Sequence, residues 1–170
     1  MKNYVITFPG QGSQSFGMMA KFEPFDCIKA TFEEASDVIG DDLWAMITSE
    51  NDKINQTINT QPIMLAAGLS IWRALKQNGA HDPAYLAGHS LGEFTALVVA
   101  GVISFEDALK IVRKRAELMQ EAVPVNMGAM AAILGLDDEA VIKICNELNG
   151  ENVLEAVNFN SPGQVVIADT

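Results

Sequence analysis

Basic residues are scarce in this chain: 11 lysines and arginines stand against 22 aspartates and glutamates, a formal net charge of −11. A general nucleic-acid-binding surface needs a basic field, so no nucleic-acid partner is expected beyond what a local patch could hold. Cysteine is scarcer still. Cys27 and Cys145 are too few for a disulfide framework and lack metal-ligand spacing, so buried reduced thiols are expected and no metal site. Long hydrophobic runs are missing too. "MKNYVITFPG" holds too short an apolar run for a signal peptide, and "ALVVAGVI" is far too short to span a bilayer. The expectation is a soluble, cytoplasmic protein with no membrane partner. Histidine is nearly absent, with only His81 and His89.

What is abundant is apolar. Hydrophobic residues make up 49% of the 170, enough for a packed core in one ordinary domain or a piece of a larger one. No repeat, low-complexity tract or linker interrupts the chain.

"YVITF" (4–8) reads as a buried strand running into the glycine loop "PGQGSQ". Helical patterns follow at about 26–38 and 41–48. A longer one starts at Thr60 as N-cap and runs to Gly79, with Pro62 tolerated in its first turn. "AYLAGHS" is a short strand entering Ser90, and "LGEFTALVVAG" then takes a helical period. "SFED" (104–107) fits a capping box opening a helix to about Val123, which Pro124 ends. Beyond it the rhythm changes to a strand (128–136), a helix (137–150) and a hairpin of "VLEAVNFN" and "QVVIAD" across Ser161-Pro162-Gly163. This is β-α-β-β, the first part of a β-α-β-β-α-β unit, and it stops at Thr170 with a sheet edge exposed. A truncated chain is the expectation.

"GHSLG" at 88–92 matches G-x-S-x-G, a strand-to-helix turn that presents a strained serine. Ser90 stands at the N-terminus of the following helix, where free N–H groups and the helix dipole favour negative charge. That suits an oxyanion formed as Ser90 attacks an ester or thioester carbonyl; an ordinary turn serine is the alternative. An elbow supplies one oxyanion N–H from the residue after the nucleophile, here Leu91, and the second must come from a loop after another strand. "PGQGSQ" is such a loop, which makes the main-chain N–H of Gln11 the natural second donor. A phosphate loop fits less well, since the lysine of that pattern is missing. A plain turn remains open if the two loops are not neighbours in space.

On the helix from Phe105, the residues Ala108, Ile111, Val112, Met119 and Ala122 form an apolar stripe by i, i+3/i+4 spacing, and Arg115 sits on it. Lys110, Arg113 and Lys114 largely point elsewhere. A guanidinium facing a core needs a partner, and its planar fork suits a carboxylate. That partner is an internal Asp or Glu, or a ligand, unless the side chain snorkels to solvent.

Taken together and in order, "FPGQGSQ", "GHSLGE", the arginine in "VRKRAELMQEAVP", "GAMAAILGL" and "NFNSPGQVVIA" resemble the malonyl-CoA:acyl carrier protein transacylases of type II fatty-acid synthesis. The resemblance covers nearly the whole chain. It implies an α/β fold, with an α/β-hydrolase-like core carrying a ferredoxin-like (β-α-β-β) subdomain. Residues 1–124 would be the N-terminal part of the core and 125–170 an incomplete subdomain. It further implies transfer of a malonyl group from malonyl-CoA, as substrate with no cofactor, to the phosphopantetheine thiol of acyl carrier protein. Ser90 becomes the nucleophile, Gln11 and Leu91 the oxyanion hole, and Arg115 the partner of the malonyl carboxylate. Asn160 falls in a segment near the family's site and receives no firm role.

A serine nucleophile also needs a base. His89 precedes Ser90 in the strand, so its side chain should point to the opposite face. His81 lies before the same strand, whose five or six residues span roughly 16–20 Å. Neither is a credible base, and the resemblance places the family's histidine C-terminal of these residues. Activity of residues 1–170 alone should therefore be weak. Two other readings share the elbow: a serine hydrolase of esterase or thioesterase type, and a non-catalytic fragment that binds CoA thioesters.

Overall fold

The computed structural model describes residues 4–123, 127–150 and 153–169. Pro124, where the long helix and the first domain are expected to end, lies outside them, as does Thr170. The chain divides into two compact units, Met1–Leu118 and Met119–Thr170.

In the first unit Val5–Phe8 (β1) pairs in parallel with Tyr85–Gly88 (β2), in the register Val5–Tyr85 to Phe8–Gly88. Parallel neighbours need a long crossover, and the helices Asp26–Ile39 (α1), Leu43–Thr48 (α2) and Thr57–Gln77 (α3) supply it. On α1 the buried residues Cys27, Ile28, Thr31, Phe32 and Ala35 follow helical spacing, and Gly40 closes the helix in the left-handed region at φ 82°. The Asp42 carboxylate caps α2 by accepting from the Ala45 N–H at 2.8 Å. Phe32, Ile28, Leu43, Ile47, Ile63 and Leu65 are fully buried between these helices.

The start of α3 departs from the sequence expectation. The helix begins at Thr57, and Thr60 is not its cap: the hydroxyl turns inward and donates to the carbonyls of Ile54 (2.6 Å) and Gln56 (3.0 Å). Pro62 therefore sits inside the helix rather than in its first turn. A proline at that point leaves the carbonyl four residues back without its helical donor. That carbonyl belongs to Ile58, and Arg113 Nη1 donates to it at 3.3 Å.

Gly92–Val99 (α4) follows the elbow, and Phe105–Ala122 (α5) begins after Ser104, whose hydroxyl accepts from the Asp107 N–H at 3.0 Å and donates to the Asp107 carboxylate at 2.7 Å. The buried stripe of α5 is Phe105, Ala108, Leu109, Val112 and Ala116. Ile111 and Met119, expected on it, are exposed. No described helix is long and apolar enough to cross a membrane.

In the second unit the strands Ala129–Leu134 (β3), Leu154–Ser161 (β4) and Gln164–Asp169 (β5) form an antiparallel sheet in the order β3-β5-β4, with the helix Asp138–Leu148 (α6) between β3 and β4 in the chain. That is the strand order of a ferredoxin-like β-α-β-β unit. In the turn Pro162-Gly163, Gly163 at φ 76° takes the positive φ that a type II turn requires at that position. Val141 and Cys145 of α6 bury against Val165 of β5. Cys27 and Cys145 are both buried and unpaired.

Candidate active site

The parallel register ends at Phe8 opposite Gly88, so both following loops leave the same, carboxyl end of the strand pair. Ligands of open α/β sheets bind at such ends. The His89 N–H continues the pairing by donating to the Phe8 carbonyl at 3.0 Å. Glycine is what lets the segments approach. A Cβ on Gly92 would stand 2.1 Å from the Phe8 carbonyl oxygen, and one on Gly88 would stand 2.0 Å from the Gly92 carbonyl carbon. A Cβ on Gly10 would stand 2.8 Å from the His89 carbonyl oxygen. The glycine loop and the elbow are thus packed neighbours, the condition the sequence reading left open.

Ser90 has φ 51°, and it is the one non-glycine residue with positive φ among the described residues. That conformation costs an L-residue about 1–2 kcal/mol. It turns the chain sharply into α4, with Gly92 N–H donating to the His89 carbonyl (2.9 Å) and Glu93 N–H to the Ser90 carbonyl (3.1 Å). Among the described residues no acceptor takes the N–H of Leu91 or that of Gln11. The side chain of Gln11 donates to Thr57 Oγ1 at 3.1 Å, and Ser13 Oγ donates to the Gly10 carbonyl at 2.8 Å. Both bonds hold the glycine loop.

Arg115 comes from α5, two turns before its end, at the edge of the buried stripe. Its Nη2 donates to Ser90 Oγ at 3.0 Å and its Nη1 to Gln61 Oε1 at 2.9 Å. The fold thus brings together two residues that lie 25 positions apart. The internal carboxylate partner allowed for in the sequence reading is not found: Arg115 pairs with no Asp or Glu among the described residues. Gln61 was missed by sequence reasoning. Its signal was available, since it and Asn59 are the amide side chains at the head of the apolar run "PIMLAAGL".

His81 lies at the opposite end of the strand pair, where its carbonyl accepts from the Tyr4 hydroxyl and the Ala84 N–H donates to the Tyr4 carbonyl at 2.9 Å. His89 stands behind the elbow: a Cβ on Gly10 would be 3.0 Å from its Nδ1. Asn160 belongs to β4 of the second unit, at a shift of strand register between Phe159 and Ser161. Shifted titrations occur away from the elbow, at exposed ion pairs. The hydrogen bond from Lys76 holds the Asp82 carboxyl below its ordinary range, and the bond to Glu106 raises Lys110.

The arrangement suits chemistry at a carbonyl: a strained hydroxyl at a helix N-terminus, two N–H groups on adjoining loops that no described residue engages, and a cation in contact with the hydroxyl. Residues 4–170 match the acyl transferase domain family. Over 170 residues the chain is 49% identical to the malonyl CoA-acyl carrier protein transacylase of Salmonella typhimurium, an alignment covering 99% of this chain and 55% of that one. The crystal structure of the acyl-carrier-protein S-malonyltransferase of Burkholderia pseudomallei superposes with a TM-score of 0.94 at 52% identity, over 99% of this chain and 55% of that one. A malonyl-transacylase solved in complex with a type II polyketide-synthase acyl carrier protein gives 0.94 at 49% identity, over 98% and 55%. The chain spans about half the length of the curated relatives it matches.

Proposed function

The chain belongs to the acyl transferase domain family, and from that membership we propose that it works in moving a malonyl group from malonyl-CoA to the phosphopantetheine thiol of acyl carrier protein. Ser90 Oγ attacks the thioester carbonyl carbon. The resulting oxyanion is held by the N–H groups of Gln11 and Leu91. Its collapse expels the CoA thiolate and leaves malonyl-Ser90, and Arg115 pairs with the free carboxylate throughout. The carrier-protein thiol then attacks the acyl-serine and regenerates the hydroxyl. The base that takes the Ser90 proton is neither His81, at the far end of the strands, nor His89. A cytoplasmic setting is part of the same reading.

The observation that carries it is the Arg115 guanidinium, 3.0 Å from Ser90 Oγ and paired with no carboxylate among the described residues. An esterase has no use for a cation there, whereas an acyl group ending in a carboxylate does. The test is mass spectrometry of the protein, as the cell makes it, after treatment with malonyl-CoA. One malonyl adduct is expected, on Ser90, discharged by holo-acyl carrier protein faster than by water. An adduct on another residue, no adduct, or discharge by water alone would overturn the assignment.

A further inference from the structure

Gln61 is 0% exposed, in the second turn of α3, and its side chain meets a charged group carried by α5. A guanidinium donates only, so the atom facing it is the amide oxygen, at 2.9 Å from Arg115 Nη1. The other two arginines of the chain are handled differently. Arg73 pairs with Glu34 at 2.6 Å, and Arg113 lies 3.5 Å from Asp41 and 3.9 Å from Glu117. Each of those charges is offset by a carboxylate. Arg115 is held by two neutral oxygens, those of Gln61 and Ser90.

The difference has a chemical meaning. A Glu in place of Gln61 would offer an acceptor of the same reach, and it would also cancel the charge. A carboxylate adds an ion pair to the hydrogen bond and can meet a guanidinium fork to fork, so an internal Glu would compete directly with an incoming carboxylate. An amide fixes the fork and leaves the charge unspent. The helix that carries Gln61 also carries Thr57, one turn earlier on the same face. Thr57 Oγ1 accepts from Gln11 at 3.1 Å, so one face of α3 holds both the glycine loop and the arginine.

We propose that Gln61 is a positioning residue that makes Arg115 selective for acyl groups bearing a carboxylate, by aiming the guanidinium at Ser90 without neutralising it. This rests on the reading of Arg115 given above. The test compares kcat/KM for malonyl-CoA and acetyl-CoA in the protein as the cell makes it, for wild type, Gln61→Glu, Gln61→Met and Arg115→Ala, with thermal melts alongside. Gln61→Glu should lower the malonyl-to-acetyl ratio at least tenfold, entirely on the malonyl side and through KM, with acetyl-CoA changed by less than twofold. Gln61→Met keeps the length and removes the acceptor; it should lower the ratio by a smaller factor. It also decides the matter where Gln61→Glu does not fold. Equal loss on both thioesters, or an unchanged ratio beside a lowered Tm, makes Gln61 structural and overturns the inference. Should Arg115→Ala leave the ratio unchanged, the reading of Arg115 itself fails and this inference with it. A ratio lowered in Arg115→Ala but intact in both Gln61 variants overturns the role of Gln61 alone.

Discussion

Replacing Arg115 by alanine removes two hydrogen bonds at once, to Ser90 Oγ at 3.0 Å and to Gln61 Oε1 at 2.9 Å. The second loss costs stability: a buried amide deprived of a partner is worth about 1–3 kcal/mol. A domain of this size loses roughly 2–4 °C of Tm per kcal/mol. A lower Tm is therefore expected on either account of Arg115 and decides nothing. The substrate ratio does decide. A charge-assisted contact contributes about 1.5–3 kcal/mol, and each 1.4 kcal/mol is about tenfold. If Arg115 meets the malonyl carboxylate, Arg115→Ala should lower the malonyl-to-acetyl ratio of kcat/KM by between about 10-fold and about 150-fold. Acetyl-CoA has no carboxylate to lose and should be nearly unaffected. Arg115→Lys should fall between, since an ammonium keeps the charge but cannot span Gln61 and the ligand with one planar fork. Steady-state kinetics with both thioesters measure it at a temperature below the lowest Tm. A ratio that stays at the wild-type value in Arg115→Ala would show that the guanidinium only braces the fold.

Three other perturbations probe the scaffold. Ser90→Gly should abolish the acyl adduct yet raise stability by about 1 kcal/mol, because glycine tolerates positive φ without cost; a fall in the denaturation midpoint would show that Ser90 is not strained at φ 51°. Gly92→Ala should cost about 1–3 kcal/mol or more, as its Cβ meets the Phe8 carbonyl oxygen at 2.1 Å, and adduct formation should slow as Leu91 shifts. An alanine variant with wild-type Tm and acylation rate would refute the close packing of the two loops. Arg113→Ala should destabilise by about 1 kcal/mol, and by less in a Pro62→Ala background, where an amide N–H returns to the Ile58 carbonyl. Strict additivity in that double-mutant cycle would mean Arg113 does not serve the carbonyl freed by Pro62.

Much of the site was legible because its constraints are local. A serine between Gly88 and Gly92 has few ways to turn from strand to helix, and the steric overlaps at those glycines are what the motif encodes. Arg115 could be singled out, and it does meet Ser90, although the phase of its helix was misjudged. Reading Ile111 and Met119 as core rotated the stripe away from the buried set of Leu109 and Ala116, and Arg115 borders both. The head of α3 was not legible. Thr60 reads as a cap, but its hydroxyl is fully buried on carbonyls of the preceding turn, and Gln56 precedes the helix with no side-chain cap. Only tertiary packing makes that arrangement preferable to a helix start at Thr60. Gln61 stands out as an amide at the head of an apolar run, but its partner lies 54 residues away, a distance over which periodicity carries no information.

That misread turn carries the contacts that brace the candidate site. Arg113 and Arg115 lie two residues apart on α5 and reach different parts of α3. Arg113 donates to the Ile58 carbonyl and Asn59 Oδ1, at 3.3 and 3.4 Å, bracing the stretch that Pro62 weakens. Arg115 takes its own position from Gln61 on the same helix. Thr57, which accepts from the Gln11 side chain, stands at the start of the same helix. A proline inside a helix ordinarily loosens it, and a loose α3 would blur the placement of Gln11 and Arg115 together. Positioning errors of an ångström can cost about a hundredfold in rate. The bond from Arg113 therefore supports the geometry around Ser90 without touching it, and a cation offset by Asp41 and Glu117 serves there, whereas on the proposed reading Arg115, beside Ser90, keeps its charge for a ligand.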